Sequence, residues 1–421
     1  MARPDDRDPH TRLLQESCPA RGLRARAQFH TDGGGAVEIP ANFGCRMWHR
    51  RCSSAPATVR DGAMGSHQEV PMDQQKVEAL AFRMVADMAA SFSMALGHIG
   101  DRLGLFRAMK GAGPLTSEQL ALKTRLNERY VREWLKAMVA AEYLDYEPTS
   151  GQYVMTPEQA SVLADDASPM SAGGPLQFTA PTVANTEKLV RIFRDGGGIS
   201  YSEIGPEVPE GIARFFGPGY VNFLVQEWLP AVSGLPERLK AGIEVADVGC
   251  GYGLSTMTMA AAFPASRFLG IDYHAGSIFR ARRASAERRL LNVEWRAEPA
   301  NQLPRDRRFG LMCAFDCIHD MVDPKGTLRA IRTGLADDGV FLWSEPNASD
   351  NPLENRHPVG KAFQCVSPLH CMTVSLAHRG EGLGTVIGER GVRALAREAG
   401  FSHVEKLPVQ NPFNQFFVLR T

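Results

Sequence analysis

The chain has 421 residues, of which 44% are hydrophobic and 22% charged, which is enough for roughly two or three domains with full cores. Lysine plus arginine equals aspartate plus glutamate at 47 each, which argues against a chain built mainly to grip nucleic acid. The eight cysteines are scattered and form no CxxC pair, so we expect no zinc site and a reducing, cytoplasmic location. No apolar run approaches the roughly 20 residues that span a bilayer, so we expect no membrane partner.

Residues 1–73 are predicted to be a disordered extension, or the product of a start codon placed too early. Glycine, proline, serine and alanine are frequent there, and no helical or strand period is present. Three aspartates, Asp5, Asp6 and Asp8, count against a transit peptide.

A long amphipathic helix is predicted where order begins, near Gln74. Apolar residues recur at three- and four-residue steps from Val77 to Ala95, and several of them are methionines. Because a free helix would expose this stripe to water, we expect it to pack against a second copy of the chain in a homodimer.

The remainder of residues 74–160 has the pattern of a winged-helix domain. Two helices are expected to begin at N-cap candidates, Thr116 or Ser117 for one and Asn127 for the other. The segment YLDYEPTSGQYVMT then predicts a β-hairpin that turns at Pro148–Gly151. Short helices followed by a hairpin are typical of a winged helix.

Residues 161–240 are predicted to be a helical linker that lies over the active site of the following domain. Helical pieces are expected around Pro181–Phe193 and Pro218–Leu239. The glycine-rich stretch RDGGGISYSEIGPE separates the two pieces.

Strands and helices alternate over residues 241–421. Apolar runs such as IEVADVG, RFLGID and FGLMCAFD are followed by helical patterns, and HVEKLPV and NQFFVLR close the chain. This alternation predicts an α/β domain with a doubly wound, seven-stranded, Rossmann-like sheet and an antiparallel pair at its edge. The segment 346–388 interrupts the alternation and is predicted to be a cap insertion.

The turn after the first of these strands, DVGCGYG, carries glycines at 249, 251 and 253. Missing side chains let a ligand approach the backbone, and ligands of such sheets bind outside the carboxyl ends of the strands. The GxGxG spacing after Asp247 differs from the GxGxxG of dinucleotide sites, and an acidic residue there suits a ligand with an ammonium group. Asp272, ending the second strand, can accept hydrogen bonds from ribose hydroxyls.

These motifs, with the GIDYH segment and the strands that follow, resemble those of the class I S-adenosylmethionine-dependent methyltransferases over roughly residues 242–421. The resemblance implies S-adenosylmethionine as cofactor, with the glycine turn beside its methionine part and Asp272 on its ribose. It also implies that Tyr273 borders the adenine, that Ala297 and Glu298 lie by the adenine amine, and that Phe315 lines the methionine side. The cofactor-binding residues carried over are Asp247, Gly249, Gly251, Gly253, Asp272, Tyr273, Ala297, Glu298 and Phe315.

The stretch FDCIHDMVDPKGTLRAI is similar to one in the winged-helix small-molecule O-methyltransferases. The resemblance implies that His319 is the general base, that Glu345 orients it, and that Glu389 is near the position of a second supporting glutamate. His319 and Asp320 keep the family's pair, but Met321 stands where a tryptophan is usual. Histidine suits this task because its pKa lies near neutrality.

The expected acceptor is an apolar small molecule held under the cap. The cap carries His357, His370, Cys371 and His378, but their spacings fit no standard metal site, so no metal is predicted. Two alternatives stay open: a winged-helix DNA-binding regulator with the cofactor as a signal, and an N- or C-methyltransferase that works by proximity. The balanced charges of NERYVREWLKAM make nucleic acid an unlikely partner.

Overall fold

The computed structural model describes residues 72–304 and 306–421. All but the last two residues of the predicted N-terminal extension, 1–73, therefore lie outside the described residues. Asp73 caps the first helix by accepting hydrogen bonds from the backbone N–H groups of Gln75 and Lys76.

The first elements are four helices and a hairpin in the order of a winged helix. Thr116 caps the third helix in a reciprocal capping box with Gln119, and Asn127 caps the fourth, so both predicted starts are confirmed. The hairpin strands pair antiparallel, as predicted. The elements are α1 (Gln74–Arg102), α2 (Leu105–Met109), α3 (Ser117–Thr124), α4 (Glu128–Ala140), β1 (Asp145–Glu147) and β2 (Gln152–Val154).

Helix α1 is packed at its carboxyl end and bare at its amino end. The Cα of Gly100 lies so close to the Trp134 ring that a Cβ there would collide with it, and Trp134 Nε1 donates to the Leu96 carbonyl at 2.9 Å. Towards the amino end, Met84 is 62% exposed and Phe92 63% exposed. By length and composition alone α1 is apolar enough to cross a membrane, contrary to the sequence expectation, and only its carboxyl end is shown above to pack on α4.

The segment predicted as a linker is a series of helices. Two of the expected boundaries are wrong, because Pro181 and Pro218 lie inside helices that begin earlier, at Gly173 and Glu207. The elements are α5 (Pro157–Leu163), α6 (Gly173–Val183), α7 (Thr186–Asp195), α8 (Tyr201–Ile204), α9 (Glu207–Gly219), a π-helix (Tyr220–Trp228) and α10 (Leu235–Ala241).

Seven strands form one mixed sheet. The order is β5-β4-β3-β6-β7-β9-β8, with β9 antiparallel to both of its neighbours. The last strand therefore lies inside the sheet, and β5 and β8 are its two edges. The strands are β3 (Glu244–Val248), β4 (Arg267–Asp272), β5 (Val293–Ala297), β6 (Phe309–Phe315), β7 (Leu335–Pro346), β8 (His403–Lys406) and β9 (Asn414–Arg420).

Helices cover the two faces of this sheet. Side chains of β6 and β7 alternate between two buried apolar clusters, with Met312 and Phe341 in one and Leu311 and Leu342 in the other. The helices are α11 (Leu254–Ala262), α12 (Ala275–Glu287), α13 (Pro324–Gly334), α14 (Pro358–Leu369), α15 (Cys371–Ala377) and α16 (Gly388–Glu398). Helices α14 and α15 belong to the segment predicted as a cap.

Candidate functional site

A cavity of about 1040 Å³ opens at the carboxyl ends of four parallel strands. The residues Gly249, Asp272, Phe315 and Pro346, which end or follow β3, β4, β6 and β7, all line it. Further walls come from α6, α9 and the cap helices. Ligands of doubly wound sheets bind at this edge, so the cavity is the candidate functional site.

The three glycines of the predicted turn differ in what surrounds them. All have positive φ angles, and Gly249 and Gly251 line the cavity. A Cβ on Gly251 would meet nothing within 4 Å, whereas one on Gly253 would collide with the Trp295 ring. Gly251 therefore leaves room on the ligand side, and Gly253 permits close packing behind the turn.

Asp272 holds the glycine turn against the next strand. Its Oδ2 accepts the backbone N–H of Gly251 at 2.9 Å, and its Oδ1 accepts that of His274 at 2.8 Å. Burial raises the pKa of Asp272, and these two hydrogen bonds oppose the increase. The carboxylate lines the cavity with acceptor lone pairs to spare.

Asp247 does not line the cavity. It is 1% exposed, and its Oδ2 accepts hydrogen bonds from the Ser255 and Thr256 hydroxyls, both at 2.6 Å. These bonds tie the end of β3 to the first turn of α11. Any contribution of Asp247 to ligand binding would thus be made through the shape of the turn.

The wall beside β5 differs from the sequence expectation. Ala297 is exposed, Glu298 is half-buried, and neither lines the cavity. The next four residues, 299–302, line it instead. Tyr273 lines the cavity as expected, at 52% exposure, with its ring 6.4 Å from that of Tyr201 in α8.

Phe315 is buried and also lines the cavity. Its ring lies 5.6 Å from that of Tyr220 and 6.3 Å from that of Trp228. Both partners belong to the π-helix, a rare conformation that is frequent at functional sites. The π-helix was not predicted from the sequence, because its apolar pattern resembles that of an α-helix.

His319 and Glu345 form a buried pair at the end of β7. Nδ1 of His319 lies 2.6 Å from Oε2 of Glu345, and the other carboxylate oxygen accepts the Trp343 Nε1–H at 2.7 Å. The two residues are 3% and 0% exposed, and His319 lines the cavity. Because a carboxylate only accepts, the proton lies on Nδ1, and Nε2 of the neutral ring is left as an acceptor.

The pair alters the titration of His319. Burial by itself would lower the pKa of the imidazole, but the Glu345 carboxylate and the neighbouring Cys371 outweigh it, so the pKa lies well above 6.5. With the folded-state pKa raised, the pair stabilises the fold below pH 6.5. This stabilisation is lost as the pH rises through the folded-state pKa.

Two further carboxyl groups line the cavity beside this pair. Burial, and then the Glu345 charge, raise the pKa of Asp316 to about 7; burial likewise raises the pKa of Asp320 to about 7, against the attraction of His319. Asp316 has a positive φ of 54°, and its oxygens accept from Asn414 Nδ2 at 2.6 Å and Ser344 Oγ at 3.2 Å.

The second supporting glutamate is not at the site. Glu389 is partly exposed and pairs with Arg393 at 2.8 Å and Lys406 at 3.2 Å, and it does not line the cavity. The suggested support of His319 by Glu389 is therefore wrong. Of the two glutamates, only Glu345 in β7 contacts His319.

Comparison with known proteins yields two family matches. Residues 89–165 match a model described as an Rv2258c-like winged HTH domain, and residues 239–381 match a model described as a methyltransferase domain. No protein with a curated description matches the sequence.

Solved structures of similar fold include three methyltransferases. Mitomycin 7-O-methyltransferase MmcR has 20% identity and a TM-score of 0.62, with 82% of this chain and 100% of that chain covered. Human N-acetylserotonin methyltransferase in complex with S-adenosylmethionine has 18% identity and a TM-score of 0.62, with 85% and 99% covered. NcsB1 from neocarzinostatin biosynthesis, in complex with S-adenosylmethionine and 2-hydroxy-5-methyl naphthoic acid, has 16% identity and a TM-score of 0.57, with 81% and 98% covered. The predicted fold class is confirmed.

The titration of Asp316 generates a stability prediction. The folded state binds a proton at this carboxyl between pH 3.8 and about pH 7, whereas the unfolded chain does not, so stability on this account falls as the pH rises across that interval. Asparagine tolerates the positive φ and cannot ionise. We therefore expect the change in unfolding free energy caused by Asp316→Asn to be more stabilising at pH 8 than at pH 5 by roughly 2–3 kcal/mol. Urea unfolding at both pH values measures this, with Asp337→Asn as the exposed control. An equal effect at the two pH values would contradict the buried, raised-pKa carboxyl.

Proposed function

We propose that this chain, a class I S-adenosylmethionine-dependent methyltransferase with an N-terminal winged-helix domain, methylates a hydroxyl oxygen of an apolar small molecule. The observation that carries the proposal is His319, which is paired with Glu345 and lines the same cavity as the glycine turn. A base and a cofactor site in one cavity are what methyl transfer to a hydroxyl requires.

The residues of the turn fit the cofactor. Gly251 leaves open space on the cavity side, and Asp272 offers a carboxylate to ribose hydroxyls. We assign Gly249, Gly251, Asp272, Tyr273 and Phe315 to direct contact. Asp247 and Gly253 support the turn from behind, and residues 299–302 replace Ala297 and Glu298 on the adenine side. When bound, the cofactor supplies an activated methyl group.

The chain's own part in the reaction is to position the acceptor and remove its proton. With Nδ1–H held by Glu345, Nε2 of neutral His319 accepts the proton of the acceptor hydroxyl. The Glu345 carboxylate then stabilises the resulting imidazolium inside the protein. A buried base of this kind suits a poorly acidic hydroxyl better than an amine that already carries a free lone pair.

The cavity walls favour an apolar acceptor. Phenylalanine and aliphatic side chains of α6, α9 and α14 line much of it, including Phe178, Phe216 and Phe363. Among the solved neighbours, one is a mitomycin 7-O-methyltransferase and another binds a hydroxy-naphthoic acid, which supports a small aromatic acceptor.

The winged helix favours assembly over nucleic-acid binding. On α4, Arg129 pairs with Glu133 at 2.7 Å, Arg132 with Glu128 at 2.6 Å, and Lys136 with Glu133 at 3.4 Å. Basic side chains engaged in ion pairs on their own helix are poorly placed to neutralise phosphates. We therefore propose a homodimer built on the exposed face of α1, and a cytoplasmic enzyme, since the cysteines in the described residues are free thiols.

The cofactor assignment predicts a binding defect. Asp272→Ala removes the acceptor for ribose hydroxyls and for the Gly251 N–H, so we expect S-adenosylhomocysteine to bind more weakly by about 2–4 kcal/mol. Calorimetry measures this, with Asp337→Ala, an exposed carboxyl near the amino end of β7, as the matched control. Unchanged affinity in Asp272→Ala would rule out the ribose contact.

The base assignment predicts a rate and a pH profile. We expect His319→Ala to bind S-adenosylhomocysteine normally and to lower the methyl-transfer rate by about 10²–10⁴. In the native protein the rate should rise with pH through a midpoint above 6.5, because the raised pKa keeps His319 charged below it. Glu345→Gln should cost less and move the midpoint to lower pH, since the carboxylate is gone.

The assay uses labelled S-adenosylmethionine and a panel of phenols, with the rate expressed per folded molecule. His403→Ala, on the exposed edge strand β8, is the matched histidine control and should keep the native rate. A folded His319→Ala protein with full activity would show that His319 only supports the fold.

The assembly proposal predicts a change of mass. Met84 and Met88 are 62% and 52% exposed on one face of α1, so Met84→Lys with Met88→Lys should place two charges in the interface and convert dimers to monomers. Light scattering at micromolar concentration reports the change, with Ala90→Lys on the opposite face as the control. A native protein that scatters as a monomer would end this proposal.

A further inference from the structure

The charged residues that line the cavity are of one sign, apart from histidine. Among residues 72–304 and 306–421, the lining includes no lysine or arginine and four aspartates, which are Asp272, Asp316, Asp320 and Asp323. Glu345, which contacts the lining residue His319, adds a further carboxylate. The described part of the cavity therefore presents negative charge to a ligand and no lysine or arginine to bind an anion.

Cationic side chains do occur on helices that contribute to the wall, but they are held in ion pairs. Arg214 of α9 donates to both carboxylate oxygens of Asp101, at 2.6 and 3.0 Å. Arg280 of α12 lies 2.6 Å from a carboxylate oxygen of Glu210. Neither arginine lines the cavity. To reach an anion inside it, each would have to give up its present carboxylate partner.

The two buried histidines of the lining do not supply a spare positive charge. Burial, and then the nearby His319, lower the pKa of His370 to about 4, so its imidazole is neutral at neutral pH. His319 can be charged, but the Glu345 carboxylate, 2.6 Å away, already balances that charge. His319 takes up the proton of the reacting hydroxyl, whereas a second, permanent anion on the acceptor would have no such partner among these residues.

A buried anion without a cationic partner is costly. A carboxylate loses its hydration when it enters a protein cavity, and neighbouring carboxylates add repulsion to that cost. A cation in the same place loses hydration too, but the same carboxylates attract it. The sign of the charge on an acceptor, and not its polarity alone, should therefore decide whether it binds.

We propose that the cavity excludes acceptors that carry a carboxylate or another permanent negative charge, and takes aromatic hydroxyl compounds that are neutral or cationic. The inference rests on the proposed function, because it concerns the acceptor of the same cavity. It separates this chain from its structural neighbour NcsB1, which was crystallised with a naphthoic acid.

The test uses three naphthols of one shape that are an anion, a neutral compound and a cation: 6-hydroxy-2-naphthoate, 6-hydroxy-2-naphthamide and 6-hydroxy-2-naphthamidine. Calorimetry measures their affinities for the full chain saturated with S-adenosylhomocysteine. The pH is 8, where Asp316 and Asp320, each with a pKa of about 7, are mostly ionised. We expect the naphthoate to bind about tenfold or more weakly than the amide, and the amidine to bind at least as tightly as the amide.

Two variants test the electrostatic origin of this ranking. Asp316→Asn removes one negative charge of the wall and should reduce the ratio of amidine to naphthoate affinity by about threefold or more. Val183→Arg adds a cation at a lining residue that is 53% exposed, and should tighten naphthoate binding by a similar factor. Asp337→Asn, an exposed carboxyl outside the cavity, is the matched control and should leave the ratio unchanged. Melting temperature and S-adenosylhomocysteine affinity verify that each variant is folded.

Four results would overturn the inference. One is a naphthoate that binds less than about tenfold more weakly than the amide, and another is a protein that binds none of the three naphthols. An amidine that is excluded like the naphthoate would show that the cavity rejects charge of either sign. A ranking that neither Asp316→Asn nor Val183→Arg changes would remove its electrostatic basis. The proposed function fails separately: the expected ranking of affinities, without methyl transfer to any phenol of the panel, would refute O-methylation and leave the charge selection standing.

Discussion

The orientation of His319 in the cavity depends on one buried carboxylate, that of Glu345. Glu345 is fully buried in β7, between β6 and β9, and such a group is tolerated only when its oxygens are paired. Trp343 occupies one oxygen and His319 the other, at 2.7 and 2.6 Å. Trp343 is itself locked by stacking on Phe341, so the rigid sheet determines where the imidazole points. An imidazole held in this way keeps its orientation without help from a ligand.

The cavity around this pair is assembled from segments far apart in the sequence. The glycine turn and Asp272 come from the sheet, Tyr201 from the helices that precede it, and His370 from the cap. Tyr201 joins two of these segments, because its ring contacts both Tyr273 and His370. Burial there raises the pKa of Asp316 and Asp320 and lowers that of His370, because each charged form loses hydration inside the protein.

The sequence predicted what depends on local pattern. Alternating apolar runs located the strands, and the glycines at 249, 251 and 253 located the turn. It could not show that Ser255 and Thr256 satisfy Asp247, or that residues 299–302 rather than Ala297 and Glu298 face the cavity, because side-chain direction after a strand depends on tertiary packing. The prediction for Glu389 was wrong for the same reason. Its place in the sequence is near that of the family's supporting glutamate, but packing leaves it partly exposed and paired with Arg393.

We propose that His319, oriented by Glu345, is the group whose protonation controls methyl transfer. Nitrogen-15 NMR of the histidine side chains, with His319→Ala used for assignment, follows this imidazole directly as a function of pH. We expect neutral His319 to carry its proton on Nδ1, and its titration midpoint to lie above 6.5 and to coincide with the midpoint of the rate. A neutral form protonated on Nε2, or a rate midpoint that His319 does not share, would contradict it.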